Sequence, residues 1–263
     1  MAEVHASAIV DARAELAADV QVGPYSIIGP GVRIDSGTRI ESHVVVAGNT
    51  RIGRNNRLFP YSAVGTEPQD KKYAGEDTQL IIGDGNTIRE YCLINTGTVQ
   101  GGGVTRIGSD NWIMGYAHIA HDCTVGSSTI IANGVQLAGH VEVGDWAIIG
   151  GTTAVHQFVR VGAHSMCGGG TILLQDLAPY LMCNGNPAKP FGVHAEGLKR
   201  RNFSAASVAL LRQAYRLVYR DGLTLEEART AVDAPLAEAP PADAGPLREF
   251  ARFLAIPGRG LVR

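Results

Sequence analysis

The sequence predicts an all-β solenoid of short parallel strands, followed by a small α-helical domain. Three observations support this prediction. Aliphatic residues recur at almost every sixth position between Val10 and Leu173. Small or β-branched residues follow them four positions later, as at Val20, Ser26 and Val32. Glycine is frequent, with 33 copies in 263 residues, whereas aromatic residues make up 6%; this composition suits tight turns around a core of small aliphatic side chains.

The six-residue period defines the expected coil. It matches neither the turn of an α-helix nor simple strand alternation, but it fits a strand of about four residues followed by a turn of two. Three such units give a triangular coil of 18 residues, and coils stack at the strand spacing of about 4.8 Å. We expect this solenoid to cover residues 1–190 and a helical domain to cover residues 191–263.

Two polar insertions interrupt the period, near residues 65–81 and 97–105. Loops on a rigid scaffold often carry binding residues, so we expect both to reach over a ligand site. In the tail, Ser204 predicts the start of one helix, and Thr224 with Glu227 predicts a capping box for a second. A Pro/Ala-rich linker is expected over residues 234–246, before a last short helix at 247–254.

Composition excludes several functional classes. Lys and Arg number 23 against 25 Asp and Glu, which argues against non-specific nucleic-acid binding. The four cysteines form no CxxC pair, so we expect packing residues rather than a disulfide framework or a zinc ribbon. No apolar stretch reaches the ~18 residues of a membrane span. The N-terminal sequence lacks the basic and apolar regions of a secretory signal, and we expect a cytoplasmic protein.

Histidines cluster in the second half of the repeat. The 18-residue register brings His121, His140 and His156 to one face of the coil in successive turns, with His118 beside the first. Such a ridge suits a general base that works near neutral pH or a three-histidine zinc site. Asp122 follows His121 directly and could orient its imidazole, although adjacent strand residues usually point to opposite faces.

Longer motifs resemble a known family. They are QDKKYAGE (69–76), GTVQGGG (97–103), SDNWIMGYAHIAHDC (109–123), LAGHVEVGDWAIIGG (137–151), AVHQF (154–158), GNPAKPFGV (185–193) and EGLKRRNFS (196–204). These stretches are similar to UDP-N-acetylglucosamine 3-O-acyltransferases of lipid A biosynthesis, over nearly the whole chain. The resemblance implies a left-handed parallel β-helix and a homotrimer with active sites between subunits. The repeat alone does not fix the hand of the coil.

The resemblance also implies a reaction and its residues. A (3R)-3-hydroxyacyl chain would pass from acyl carrier protein to the 3-hydroxyl of UDP-N-acetylglucosamine, without a cofactor or a metal. His121 would be the general base, Asp122 its orienting partner, and the Gly139 N–H the oxyanion donor. Gly169 would set acyl length, since a larger residue there would shorten the slot. The implied substrate contacts are Gln69, Asp70, Lys72, Asn95, His118, His140, His156, Gln157, His194, Glu196, Arg200 and Arg201.

Three alternatives remain at this stage. One is acylation of a 3-amino analogue of the same sugar nucleotide, since Asn95-Thr96 and His194 depart from the residues that are common in the family. The second is a zinc-dependent hydro-lyase of carbonic-anhydrase type, which chelation would inactivate. The third is a non-catalytic protein that only binds sugar nucleotides, in which a substitution of His121 would have no effect.

Overall fold

The structure is a computed structural model that describes residues 2–256 and 258–263. Short strands dominate it. The strands are β1 (Glu3–Val4), β2 (Ile9–Val10), β3 (Glu15–Leu16), β4 (Gln21–Val22), β5 (Ile27–Ile28), β6 (Arg33–Ile34), β7 (Arg39–Ile40), β8 (Val45–Val46), β9 (Asn49–Ile52), β10 (Arg57–Leu58), β11 (Ala63–Thr66), β12 (Gln79–Ile82), β13 (Thr87–Ile88), β14 (Leu93–Asn95), β15 (Val104–Ile107), β16 (Trp112–Ile113), β17 (His118–Ile119), β18 (Thr124–Val125), β19 (Ile130–Ile131), β20 (Gln136–Leu137), β21 (Glu142–Val143), β22 (Ile148–Ile149), β23 (Ala154–Val155), β24 (Arg160–Val161), β25 (Met166–Cys167), β26 (Ile172–Leu173), β27 (Leu181–Asn184) and β28 (Lys189–Val193). The helices are a 3₁₀ turn (Val99–Gly101), α1 (Ala195–Arg200), α2 (Ala205–Tyr219), α3 (Leu225–Glu238) and α4 (Ala244–Ala255).

The strands form three sheets, which make the three faces of a prism. Sheet A runs β1-β4-β7-β10-β13-β16-β19-β22-β25-β27-β28, sheet B runs β2-β5-β8-β11-β14-β17-β20-β23-β26, and sheet C runs β3-β6-β9-β12-β15-β18-β21-β24. The chain passes through A, B and C in turn, and the pairing is parallel throughout except for the antiparallel pair of β27 and β28. The predicted parallel solenoid is therefore confirmed.

Both repeated columns point into the prism. Val46 and Ile94 of the aliphatic column and Val44 and Val135 of the small column are fully buried. Most strands span only two residues, which is shorter than the four we expected. The rest of each six-residue unit turns the corner, so several residues that the sequence placed on strands lie in turns.

A two-residue turn forms most corners, and its second residue has a left-handed backbone. The φ angle is 59° at Tyr25, 60° at Asp122, 62° at His140 and 64° at Phe158. Residues other than glycine adopt this conformation uncommonly. Here it recurs in coil after coil, so side chains 18 residues apart stack in columns along each edge of the prism. We call the edges AB, BC and CA after the sheets that they join.

Both insertions lie on the BC edge. Residues 67–78 link β11 to β12, and residues 96–103 link β14 to β15. The next three coils cross the same edge at residues 121–122, 139–140 and 157–158. The fold therefore brings two loops and the histidine region to one edge.

The tail is helical, as predicted. The Ser207 N–H donates to Ser204 Oγ at 2.9 Å, and Thr224 and Glu227 form the expected capping box. The predicted linker over 234–246 is wrong, because α3 continues through Pro235 to Glu238 and α4 starts at Ala244. Pro235 is buried where α3 packs against α2 and α4, and this packing offsets the backbone hydrogen bond that proline cannot make.

Among the described residues, no helix has the length and apolarity to cross a membrane.

Candidate active site

The centre of the BC edge is the pair His121 and Asp122. Their side chains meet because both residues lie in the turn after β17 rather than on a strand, which corrects the strand position expected for His121. His121 Nδ1 lies 2.8 Å from Asp122 Oδ2. A carboxylate only accepts hydrogen bonds, so the proton of the neutral ring is on Nδ1. The lone pair of Nε2 is then available to accept a proton.

The second insertion holds Asp122 in place. The Thr98 N–H donates to Asp122 Oδ1 at 2.8 Å, and the Thr98 hydroxyl donates to Oδ2 at 2.6 Å. The Asp122 N–H donates in turn to Thr105 Oγ1 at 2.9 Å. With His121, three donors converge on a carboxylate that is almost fully buried, which fixes its position.

Gly139 lies directly against the His121 ring, one coil further on. A Cβ atom at this position would lie 2.5 Å from His121 Cε1 and 2.8 Å from Nε2. A residue with a side chain at position 139 would clash with the imidazole, so only glycine fits here. Within residues 2–256 and 258–263, the Gly139 N–H donates to no hydrogen-bond acceptor, so it is free to bind an oxygen atom beside the histidine.

His140 forms the other wall of the site. Its ring stacks on Phe158 at 4.3 Å and meets the His121 ring edge-on at 5.2 Å. Its Nε2 lies 3.7 Å from Asp122 Oδ2. Burial lowers the pKa of His140 below its usual value, while the carboxylates of Asp122 and Asp70 raise it.

His118 and Asn95 connect this first insertion to the strands. His118 Nε2 lies 2.9 Å from Asn95 Oδ1, and the Asn95 amide donates to Thr66 Oγ1 and to the Glu67 carbonyl. Asn95 is buried with its amide engaged by the protein, so it supports the loop from within. Burial lowers the pKa of His118. A direct substrate contact of Asn95 stays a prediction.

The other predicted contacts on this edge are more open. Gln69 and Lys72 are exposed in the first insertion, where the Lys72 N–H donates to Asp70 Oδ1 at 3.0 Å. Gln157 is exposed in the column of His121 and Gly139. His156 lies just before this turn, with Nδ1 3.2 Å from the Gln157 carbonyl oxygen. None of these four residues lines the groove of about 470 Å³ that opens on the sheet C side of the BC edge; its lining residues are Gly101, Asp122, Thr124, His140, Glu142, Phe158, Arg160, Gly258 and Arg259.

Five predicted site residues lie elsewhere on the prism. Gly169 is exposed on the AB edge. The others follow β28: Glu196 and Arg200 are exposed, Arg201 is half-buried with Nη1 3.3 Å from His164 Nδ1, and His194 is buried with Nδ1 3.1 Å from the His164 carbonyl oxygen. His164 lies on the CA edge, which sheet C separates from His121. One chain therefore does not bring all the predicted residues together.

Three side chains of this site offer ligand atoms to a metal ion. One ligand atom each from His121, Asp122 and His140 lie within 4.8 Å of one another. However, both Asp122 oxygens already accept hydrogen bonds from Thr98, and Oδ2 also accepts from His121. Coordination of a metal would displace these donors. The arrangement fits a hydrogen-bonded catalytic pair better than a zinc centre.

Cysteine chemistry is absent from this site. All four thiols are buried, and burial raises the pKa of Cys92 to about 11. Cys167 and Cys183 face each other inside the prism, with 3.6 Å between their sulfur atoms. Buried thiols with raised pKa are poor nucleophiles, in agreement with the predicted packing role.

Sequence reasoning missed two residues that shape the site. Phe158, which stacks on His140, lies 18 residues after it, so the register could have identified it. Thr98, which holds Asp122, lies in an insertion that breaks the register. No signal in the repeat gives the position of Thr98.

Comparisons with known proteins agree with this geometry. A family model described as Udp N-acetylglucosamine O-acyltransferase, Domain 2, matches residues 176–262, and the bacterial transferase hexapeptide model matches residues 105–139. A curated relative from Cupriavidus metallidurans, named acyl-[acyl-carrier-protein]--UDP-N-acetylglucosamine O-acyltransferase, is 57% identical over 267 residues and covers 100% of both chains.

Solved structures extend the similarity to three dimensions. LpxA from Acinetobacter baumannii superposes with a TM-score of 0.93 at 45% identity, over 99% of both chains. LpxA from Moraxella catarrhalis superposes with a TM-score of 0.94 at 42% identity, also over 99% of both chains. These neighbours confirm that the β-helix is left-handed. The chain is an enzyme that belongs to the UDP-N-acetylglucosamine O-acyltransferase family.

Proposed function

We propose that the protein transfers a (3R)-3-hydroxyacyl chain from acyl carrier protein to the 3-hydroxyl of UDP-N-acetylglucosamine, the first step of lipid A biosynthesis. The observation that carries this proposal is the chain of contacts from Thr98 through Asp122 to His121. Within the described part of the chain it leaves His121 Nε2 without a hydrogen-bond partner, beside the Gly139 N–H, which has none either. A general base next to an oxyanion donor is what direct acyl transfer requires.

The proposed mechanism needs no covalent enzyme intermediate. His121 Nε2 removes the proton of the sugar hydroxyl while its oxygen attacks the thioester carbonyl carbon. The developing oxyanion accepts a hydrogen bond from the Gly139 N–H. When the tetrahedral intermediate collapses, the thiolate of the carrier leaves and takes the proton from His121. Asp122 stabilises the imidazolium that exists between the two proton transfers.

The substrate contacts are assigned within this scheme. We assign Gln69, Asp70 and Lys72 of the first insertion, with His118, His140, His156 and Gln157, to the sugar and the acyl donor. His194, Glu196, Arg200 and Arg201 are assigned to the nucleotide, because guanidinium groups suit paired contacts with phosphate oxygens. We assign Gly169 to the acyl slot, where a Cβ would first meet the Gly151 carbonyl oxygen at 3.4 Å.

A homotrimer would complete the site. Outward-facing side chains of sheet B are mostly apolar, and Ile9 and Ile27 are 64% and 43% exposed. Sheet C instead presents exposed charges; these include Glu15, Arg33, Arg51, Arg106 and Glu142. We infer that sheet B faces the other copies around a threefold axis. The flanking BC edge of one subunit then meets the AB edge of the next, which joins His121 to Gly169.

Mass spectrometry of the product tests this function. The purified protein is incubated with UDP-N-acetylglucosamine and a series of 3-hydroxyacyl carrier proteins that differ in chain length. The expected product is the sugar nucleotide increased in mass by one hydroxyacyl group, and alkaline hydrolysis should release it, as an ester allows. The absence of any acylated nucleotide would contradict the proposal. An alkali-stable product formed only from the 3-amino sugar would support the amide alternative.

A further inference from the structure

Arg201 is a cation held by neutral groups. Its guanidinium carbon lies 5.1 Å from the centre of the Trp146 ring, and Nη1 lies 3.3 Å from His164 Nδ1. Burial lowers the pKa of Arg201 below its usual value. Among the residues that the structure describes, no carboxylate forms an ion pair with it. A partly desolvated guanidinium without a carboxylate partner is suited to receive an anionic ligand.

The rings around Arg201 form a column on the CA edge. Trp146 and His164 are 18 residues apart, and their rings are parallel with centroids 6.1 Å apart. Tyr180 continues the stack at 5.5 Å from His164, and Phe203 meets the His164 ring edge-on at 5.0 Å. The indole of Trp146 is 44% exposed, whereas Tyr180 is buried. The column is therefore fixed within the protein at Tyr180, and Trp146, with Arg201 beside it, lies at the end that is open to solvent.

His164 takes part in this arrangement as a neutral acceptor. Burial, and then the charge of Arg201, lower the pKa of His164 to about 4. At neutral pH its Nδ1 therefore accepts a hydrogen bond from the Arg201 guanidinium. The ring face of Trp146 attracts the same cation from a second direction. Two independent contacts thus restrict a side chain that would otherwise have many rotamers.

We propose that Trp146 and His164 are positioning residues that hold the Arg201 guanidinium ready for the diphosphate of the nucleotide substrate. The inference rests on the proposed function, which assigns Arg201 to the nucleotide. A guanidinium fork binds two phosphate oxygens only in one orientation. Without the indole and the imidazole, Arg201 must be ordered each time a nucleotide binds, and the affinity falls.

Binding of uridine diphosphate alone tests the inference without any catalysis. Trp112 and Trp146 are the two tryptophans of the chain, so Trp112→Phe leaves Trp146 as a single fluorescent reporter. Calorimetry is used for the variants that lack Trp146. The set is Trp146→Ala, Trp146→Phe, His164→Asn and the control Tyr25→Ala. Tyr25 is also an exposed aromatic residue with a left-handed backbone, and its ring lies 5.1 Å from the His43 ring at a tilt of 35°, but it is on the AB edge in the second coil.

The expected result is a specific loss of nucleotide affinity. Trp146→Ala should weaken uridine diphosphate binding about three- to thirty-fold, the range of a cation–π contact. Trp146→Phe should recover most of this loss, because a ring face is restored. The KM for the sugar nucleotide should rise in parallel while kcat stays near the wild-type value. Tyr25→Ala should bind like the wild type, and addition of uridine diphosphate should change the Trp146 fluorescence.

Failure of this inference differs from failure of the proposed function. If Trp146→Ala and His164→Asn keep wild-type affinity, the positioning role is wrong even though the enzyme acylates its substrate. If Trp146→Ala does not fold, the inference is tested with His164→Asn and Trp146→Phe instead. Unchanged affinity of His164→Asn for uridine diphosphate would then show that the positioning role is wrong. If the wild type neither binds uridine diphosphate nor forms product, the proposed function itself is wrong.

Discussion

At the scale of single residues, the chemistry depends on turns rather than on strands. The 18-residue spacing correctly predicted that the chain passes His121 and His140 in neighbouring coils. It did not predict that both lie at a corner, where the left-handed φ angles of Asp122 and His140 redirect their side chains. For this reason Asp122 reaches the ring of the residue next to it, a contact that strand alternation would forbid. Such a conformation at residues other than glycine is not visible in a six-residue pattern.

Removal of the base should abolish most of the activity. His121→Ala deletes the Nε2 lone pair, and we expect kcat to fall about 10²- to 10⁴-fold, the usual range for a general base. Binding of uridine diphosphate should stay within about twofold, because the nucleotide residues lie on another edge. Steady-state rates and calorimetry measure the two effects. A variant with near-normal kcat would exclude His121 as the base.

A single methyl group at Gly139 should have a large kinetic effect. In Gly139→Ala the new Cβ would meet the His121 ring at 2.5 Å, so the imidazole must shift. We expect kcat to fall about 10- to 100-fold, as happens when a reacting group is misplaced by about 1 Å. The matched change is Gly29→Ala, where the nearest atom would lie at 3.4 Å and activity should be normal. Equal rates for the two variants would contradict the packing described for His121.

At the scale of elements, sequence reasoning succeeded where a local rule applied. The capping residues Ser204 and Thr224 were read correctly because a helix N-terminus is a local hydrogen-bonding motif. The linker was misread because the buried contacts of Pro235 are tertiary and leave no local signal. The same limit applies to Thr98, since the path of an insertion depends on the coil beneath it. The part of the site that could not be predicted therefore lies in the loops that interrupt the repeat.

The column on the CA edge should make stability depend on pH. His164 has a pKa lowered from 6.5 to about 4, so the unfolded chain takes up this proton at a higher pH than the folded chain does. Stability should therefore decrease as the pH falls from about 6.5 to about 4, and this contribution should then level off. The charged and titratable neighbours that bear on His164 are Arg201, Asp145, His194 and, through Tyr180, Glu249.

Thermal unfolding of His164→Asn measures this contribution. Asparagine accepts the left-handed backbone of this position more readily than most residues and does not titrate. We expect its Tm to decrease less between pH 7 and pH 4.5 than the Tm of the wild type. An identical decrease in both proteins would show that His164 does not contribute to the acid sensitivity.

At the scale of the whole molecule, the three faces of the prism differ in chemistry. The composition and the repeat predicted the prism but not which face would meet other copies, because the repeat treats the three sheets alike. The structure shows an apolar outer row on sheet B and a charged one on sheet C. We therefore expect Ile27→Glu to break the assembly into smaller species, because it would bury a charge without a partner. Arg51→Glu, a charge change on sheet C, should not.

Light scattering coupled to size exclusion measures this difference. The expected masses are that of a trimer for the wild type and for Arg51→Glu, and that of a smaller species for Ile27→Glu. Activity should disappear together with the trimer. If Ile27→Glu assembles normally, sheet B is not the interface.

The central claim is that each active site combines the BC edge of one copy with residues of another. Subunit complementation tests it most directly. His121→Ala chains should lack the base, and chains with Arg200 and Arg201 both changed to Ala should lack the nucleotide contacts. The two kinds of chain are co-expressed with different affinity tags. After tandem purification every trimer contains both kinds of chain, and these mixed trimers should recover up to about a third of the wild-type activity, because one of the three interfaces in such a ring has both halves intact. Mixed trimers no more active than either parent would contradict the claim.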